Sequence, residues 1–385
     1  MSTVQALIGA RIFDGHGWHD DKALMIDAGK VSAIVPLADV PASAARIDAG
    51  GQIIAPGFID CQVNGGGGVL LNDKPSADHI AQICAAHARF GTTALLPTLI
   101  TDTRDVTRAA IAAGHAAKAA QVPGFIGLHL EGPHLSVARK GAHEPSYIRP
   151  MEDEDLAMIV DCGETFPAMI TTIAPENVSE AQVSALSNAG ITVSLGHTDC
   201  TFETAKTYVT AGASMVTHLF NAMSQLGHRQ PGLVGAALSF GELSVGLIAD
   251  GFHVDPAAMS IALRAKQGPG KMFLVTDAMS TIGSDQQSFF LNGREIFREG
   301  GCLRLADGTF AGSDIDMLSS IRFVHDVLGL DLGDAVQLAT VNPAAAIGLQ
   351  TKGALTAGMD ADFVVLTPAL DLVSTWIAGD TVFQA

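Results

Sequence analysis

Five apolar runs in the middle of the chain end in side chains that can bind a cation or carry a proton. They are His129-Leu-Glu131-Gly-Pro, Gly196-His197, Thr217-His218, Asp250-Gly-Phe-His253 and Thr276-Asp277. One carboxylate and two imidazoles, Glu131, His197 and His218, fill three protein positions of a zinc-type site and leave a fourth for water. A closed structural site draws more on cysteine. A single histidine at a strand end is more often structural, but His197 and His218 end consecutive runs, and two together favour a ligand pair. The separations of 66 and 21 residues among these ligands are not a local signature, so the pattern rests on strand ends rather than on spacing. Glu131 and Asp277 also follow apolar runs, where a carboxylate is costly unless a cation or hydrogen bonds satisfy it. His129, two residues before Glu131, faces the same side of a strand and either supports the ligands or fills the interior.

The strands that would carry these residues are legible as an alternation. Eight strand-like runs, PGFIDCQVN, TTALLPTLI, GFIGLHLEG, AMITTIAPE, ITVSLGHT, SMVTHLFNA, LSVGLIADG and KMFLVTDA, are separated in several places by helical stretches such as ADHIAQICAAHARF and TRDVTRAAIAAGHAAKAA. Strands buried on both faces and alternating with helices predict a parallel sheet, and eight such units predict an α/β fold of the closed (β/α)8 type. Such barrels carry their active groups at the carboxyl ends of the strands. An open doubly wound sheet competes, but no G-x-G-x-x-G segment opens a helix, and Gly65 to Gly68 reads as a loop at a strand end. Residues 1–55 and 350–385 show short β-type runs broken by turn residues. A few hairpins at either end bury too little surface alone, so the two ends are expected to pair into one small β-sandwich, with 56–349 as the catalytic barrel.

Composition narrows the function. Charged residues make up 16% and hydrophobic residues 48% of the 385, which fits a compact chain with much buried surface. With 22 Lys+Arg against 40 Asp+Glu, the net charge of −18 repels nucleic acid and anionic membrane, so a phosphate ligand needs a local basic pocket. Five scattered cysteines without a CxxC pair indicate neither a disulfide framework nor a thiolate metal site, and a cytoplasmic, reducing setting is expected.

The runs PGFIDCQVNG, LHLEGP, KGAH, SLGHT, THLFNAM, DGFHVD, LVTDA and AGS resemble those of the N-acetylglucosamine-6-phosphate deacetylases of the amidohydrolase superfamily, over nearly the whole chain. The resemblance implies a barrel with a β-sandwich from both termini, and release of acetate from an amino-sugar phosphate, a small-molecule substrate. It implies that Glu131, His197 and His218 hold one divalent ion per subunit, zinc foremost, with iron, cobalt or manganese accepted by the same donors. Asp277 is then the general base that takes a proton from the ion's water and the acid that returns it to the amine. His143 would donate to the acyl oxygen, Arg229 would bind the phosphate, and His253 would be a second phosphate or sugar contact. Asn221, Ala222, Ala142, Phe310, Ala311 and Gly312 would line the substrate site. A homodimer in which Arg229 reaches across the interface is also implied. Gln62 and Asn64 stand where many amidohydrolases place a His-x-His pair for a second metal, and amides replace imidazoles poorly, so one ion is expected. Asp314 and Asp316 depart from the pattern with charge that would disfavour a nearby phosphate, and His134 replaces a frequent aromatic ring. The competing readings are another amidohydrolase, of dipeptidase or cyclic-amidase type, and a non-catalytic barrel.

Overall fold

A computed structural model describes residues 4–385. Its centre is a sheet of eight parallel strands: β1 Phe58–Val63, β2 Thr92–Ile100, β3 Gly127–Glu131, β4 Ala168–Ile173, β5 Thr192–Leu195, β6 Met215–Val216, β7 Ser244–Leu247 and β8 Met272–Leu274. Each pairs with its neighbour in sequence, and the sheet closes through a parallel bridge between Val63 and Ala278. Every residue of β1 to β4 is buried. That is why these segments are apolar runs rather than alternating ones: helices cover the outside and side chains fill the interior. The closure is tied by Asp60, whose carboxylate accepts the Thr276 hydroxyl at 2.6 Å and the Thr276 and Gln62 amides at 3.2 Å.

The helices start where the sequence supplies caps. Ser76 caps α1 Ala77–Ala88 and Thr103 caps α2 Arg104–Ala119, while Ser179 and Gln182 form a capping box on α4 Glu180–Asn188. Among the described residues no helix is long and apolar enough to cross a membrane.

The two chain ends meet as expected. Ile53–Pro56 pairs antiparallel with Phe363–Leu366 in a six-stranded sheet that also takes Arg11–Phe13, Trp18–His19, Leu372–Ile377 and Asp380–Gln384. A four-stranded sheet of Gln5–Ile8, Lys22–Asp27, Lys30–Pro36 and Ala45–Asp48 lies beside it, and Leu7, Ile12, Leu24, Ile54 and Phe363 share the core between them. One element was not anticipated. Between β8 and α8 Met317–Asp326 the chain forms a four-stranded antiparallel meander, Ser288–Leu291, Arg294–Glu299, Cys302–Leu305 and Phe310–Ser313, which reaches the mouth of the barrel.

A buried carboxylate anchors the outer layer. Asp155 in α3 Asp153–Val160 is 1% exposed and accepts Arg104 Nε at 2.9 Å and Nη2 at 3.0 Å, with Arg149 Nη2 at 2.8 Å. Burial opposes ionisation, but the two guanidinium groups win and hold this carboxyl well below its ordinary range. Its contribution to stability is therefore full above the unfolded pKa of about 3.9 and is lost as pH falls below that value. Asp155→Asn is expected to cost about 2–3 kcal/mol at pH 7, less than a fully buried pair because both arginines are about a quarter exposed. Urea denaturation checks this: the gap between variant and parent should shrink as the pH is taken towards 3.

Candidate active site

The side chains at the carboxyl ends of the barrel strands surround a cleft. Glu131 ends β3, whereas His197, His218 and Asp277 stand two or three residues beyond β5, β6 and β8, with φ of +47°, +27° and +54°. A left-handed backbone is uncommon outside glycine, and three such residues around one cleft mark a site whose conformation is over-determined by its surroundings. Gly196 permits one of these turns, since a Cβ there would lie 2.8 Å from Thr172 Cγ2.

Three donor atoms converge. Glu131 Oε1 lies 3.2 Å from His197 Nε2 and 3.1 Å from His218 Nε2, and the two ring nitrogens are 3.1 Å apart. Bonds of about 2.0–2.1 Å to a tetrahedral cation require edges of roughly 3.3 Å, so this triangle fits one face of such a site. His197 Nδ1 donates to the Arg139 carbonyl at 2.9 Å, which leaves its Nε2 with a lone pair for a cation. His218 Nδ1 is buried and has no hydrogen-bond partner in another residue among those described. Burial works against the charge on Glu131, yet with no cation bound the His197 and His218 rings, when protonated on Nε2, hold it well below the carboxylate range. His143 also approaches, with Nε2 3.9 Å from Glu131 Oε2 and its ring 4.4 Å from that of His197. It addresses the other carboxylate oxygen and completes a looser alternative set with Glu131 and His197, in which ligand atoms lie within 4.8 Å of one another. The tighter triangle is the better cradle.

Asp277 borders the triangle. Its Oδ1 accepts Asn64 Nδ2 at 2.6 Å and Gln62 Nε2 at 3.2 Å, and Gln62 Nε2 also reaches Glu131 Oε1 at 3.0 Å. The amides thus present N–H groups to two carboxylates, where cation ligands would present lone pairs. Burial first, and the Glu131 charge second, push Asp277 up to about 6 despite His218 and Asn64. A carboxyl so placed can exchange a proton near neutral pH.

The cleft brings together every predicted site residue except one. Ala142, His143, Asn221, Ala222, His253, Phe310, Ala311 and Gly312 line it with Glu131, His197, His218 and Asp277. Arg229 does not: it lies exposed in the loop before α6 Gly232–Ser239, outside the lining of its own cleft. Burial lowers His143 to about 3, so its ring is neutral, and its Nδ1 meets the Thr101 hydroxyl at 2.7 Å. His129 bonds the Cys61 carbonyl at 3.0 Å and the Thr172 hydroxyl at 2.7 Å rather than any of the converging groups. It heads a chain through Thr172, Thr217 and Ser194 inside the barrel.

The charge expected to trouble a phosphate is absent from the cleft. Asp314 is spent on Arg298 at 2.6 Å and Thr281 at 2.7 Å, and Asp316 caps α8 by accepting the Ser319 amide at 2.8 Å. His134 is buried away from the cleft on the Arg149 carbonyl at 3.0 Å. Sequence reasoning named Phe310, Ala311 and Gly312 of the meander but not Leu291 and Thr309, which also line the cleft, as do Ile100, Ile248 and Met279.

Comparisons with known proteins place the chain in a family. Residues 53–382 match the model of the amidohydrolase family, and residues 5–54 that of the NagA composite domain. The chain is 43% identical to an N-acetylgalactosamine-6-phosphate deacetylase of Shewanella sp. (strain ANA-3), covering 87% of this chain and 84% of that one. It is 33% identical to an N-acetylglucosamine-6-phosphate deacetylase of Haemophilus influenzae, covering 97% and 98%. The crystal structure of N-acetylglucosamine-6-phosphate deacetylase from Pasteurella multocida superposes with a TM-score of 0.94 at 32% identity, covering 98% and 99% of the two chains.

Proposed function

Because the chain belongs to the amidohydrolase family, we propose that it removes the acetyl group of N-acetylglucosamine 6-phosphate, giving glucosamine 6-phosphate and acetate. The observation that carries this reading is the Oε1–Nε2–Nε2 triangle of 3.1–3.2 Å with Asp277 beside it in a cleft. Glu131, His197 and His218 are the ligands of one divalent ion, zinc by donor set, with iron, cobalt and manganese accepted by the same atoms. Such an ion acidifies a water and polarises the acyl oxygen. Asp277 supplies the proton transfers. Its Oδ1 is held by two amides, and Oδ2, without a hydrogen-bond partner among the described residues, takes the proton of the attacking water. An amide nitrogen leaves only once protonated, so the same carboxyl returns the proton to it. We assign the His143 proton to Nε2, with the Thr101 hydroxyl turned to Nδ1 at 2.7 Å rather than to the Glu131 carbonyl at 3.4 Å, so that Nε2–H donates to the acyl oxygen.

Binding needs an anion contact. His253, Asn221 and the small residues Ala142, Ala222, Ala311 and Gly312 are the substrate contacts within the chain. Arg229 is exposed and outside its own cleft, and the same loop exposes Leu226 at 56%. Both features suit a homodimer in which this arginine serves the neighbouring subunit. Arg229→Ala is expected to raise KM for the phosphorylated sugar about 10–100-fold, as loss of a charge-assisted contact would, while leaving turnover of unphosphorylated N-acetylglucosamine unchanged. Equal activity of the parent protein on both sugars would remove the phosphate pocket from the account.

The galacto epimer is the second reading, because a relative at 43% identity carries that name. Mass-spectrometric detection of acetate from both 6-phosphates, run in parallel on purified protein, separates them. Release from neither would demand another substrate.

A further inference from the structure

Asp250 lies just behind the cleft wall and has been given no role. It follows β7, and its side chain is 5% exposed. Its Oδ1 accepts the Phe252 and His253 amides, each at 2.8 Å, and its Oδ2 faces His253 Nδ1 at 2.6 Å. His253 is itself 7% exposed at the side chain, lines the cleft, and packs its ring on Phe310 with centroids 4.8 Å apart. Among the described residues no lysine or arginine pairs with Asp250, so the imidazole is its only side-chain partner.

This arrangement settles which nitrogen is protonated. A carboxylate only accepts, so Nδ1 must carry hydrogen, and Nε2 is the atom left for the cleft. In its neutral form this tautomer would turn a lone pair towards a phosphate oxygen, and the two would repel. Only the doubly protonated ring donates there, and it needs a negative neighbour to be stable in a buried place. Asp250 is that neighbour. The other charged groups around the ring are Asp277 across the cleft, whose proton affinity responds to His253, and Arg304, which stacks on the far partner Phe310 at 4.5 Å.

We propose that Asp250 is a positioning residue for phosphate recognition: it fixes His253 by its Nδ1 proton and supplies the charge that lets Nε2–H donate to a substrate phosphate oxygen. This rests on the phosphorylated substrate assigned above.

The test is a double-mutant cycle read on two substrates. In Asp250→Asn the single amide oxygen serves the two backbone N–H groups, so the amide nitrogen faces the ring. The ring is then neutral with its hydrogen on Nε2, so it can still donate to phosphate but no longer carries a positive charge, and the weakening expected is that of a charge-assisted bond turned into a neutral one. Expected is a KM about tenfold higher for N-acetylglucosamine 6-phosphate, kcat lower by less than about threefold, and little change in kcat/KM on the unphosphorylated sugar. In a His253→Gln background the same substitution should change KM by less than about twofold, because Asp250 acts only through that ring. Equal losses on both sugars, or effects that add in the double variant, would overturn the proposal. A direct readout does not depend on folding of the variant. In ¹⁵N-histidine spectra of the parent protein with inorganic phosphate, His253 should show both nitrogens protonated, and an unprotonated Nδ1 would end the idea. If the parent fails to distinguish the two sugars, the substrate assignment falls, while the Nδ1 result still decides the pairing.

Discussion

Asp277→Asn is expected to lower kcat for acetate release by about 10³-fold while changing KM by less than about threefold. Positioned proton transfer contributes roughly 10²–10⁴ to a rate, and here one carboxyl handles both the proton of the water and that of the leaving amine. The substitution is isosteric. Its oxygen still accepts Asn64 Nδ2, which stands 2.6 Å from Oδ1, so the cleft should keep its shape. What is lost is a buried carboxyl that, with no ion bound, burial and the Glu131 charge push up to about 6. Rates over a pH series with unchanged metal content check this. A drop of less than tenfold would mean that another base, such as His143, takes the proton.

Glu131→Gln should act earlier, on the ion itself. Glu131 Oε1 is the corner shared by His197 Nε2, His218 Nε2 and Gln62 Nε2, all between 3.0 and 3.2 Å away. A neutral amide is a poor ligand for a divalent cation and cannot balance its charge in a place that is 2% exposed. Affinity for the ion is expected to fall more than about 100-fold, beyond the 10–100-fold typical of losing a mere supporting partner. Acetate release at ordinary metal concentrations should fall at least as far. Competition with a chromophoric chelator reads the first number. An unchanged affinity would move the ligand role to another set, with His143 the nearest replacement.

Much of this was legible before any coordinates. The eight apolar runs became the eight barrel strands because a parallel sheet covered on both faces leaves no polar alternation, and the chemistry fell at their carboxyl ends. The terminal hairpins could pair only with each other, and Ile53–Pro56 does meet Phe363–Leu366. The meander at 288–313 was overlooked although Asn292-Gly293, Gly300-Gly301 and Asp307-Gly308 are evenly spaced hairpin turns. Its last strand entered the site through the resemblance, at Phe310, Ala311 and Gly312, while the rest carries no titratable residue that lines the cleft, so Leu291 and Thr309 went unnamed. Asp314 shows the opposite error: a charge alarming in sequence is neutralised by Arg298, sixteen residues earlier, a partner that only the paired strands of the meander bring near. Tertiary pairing of this kind leaves no periodic trace. The left-handed φ of His197, His218 and Asp277 was likewise invisible, because nothing in these residue types demands it.

One measurement bears most directly on the convergence of Glu131, His197 and His218. Protein purified without chelators should contain about one divalent ion per chain by elemental analysis. Anomalous scattering from crystals of that protein should place the ion between these three side chains, and its removal should abolish acetate release until the ion is restored. Full turnover by metal-free protein, or an ion bound away from these three residues, would contradict the account.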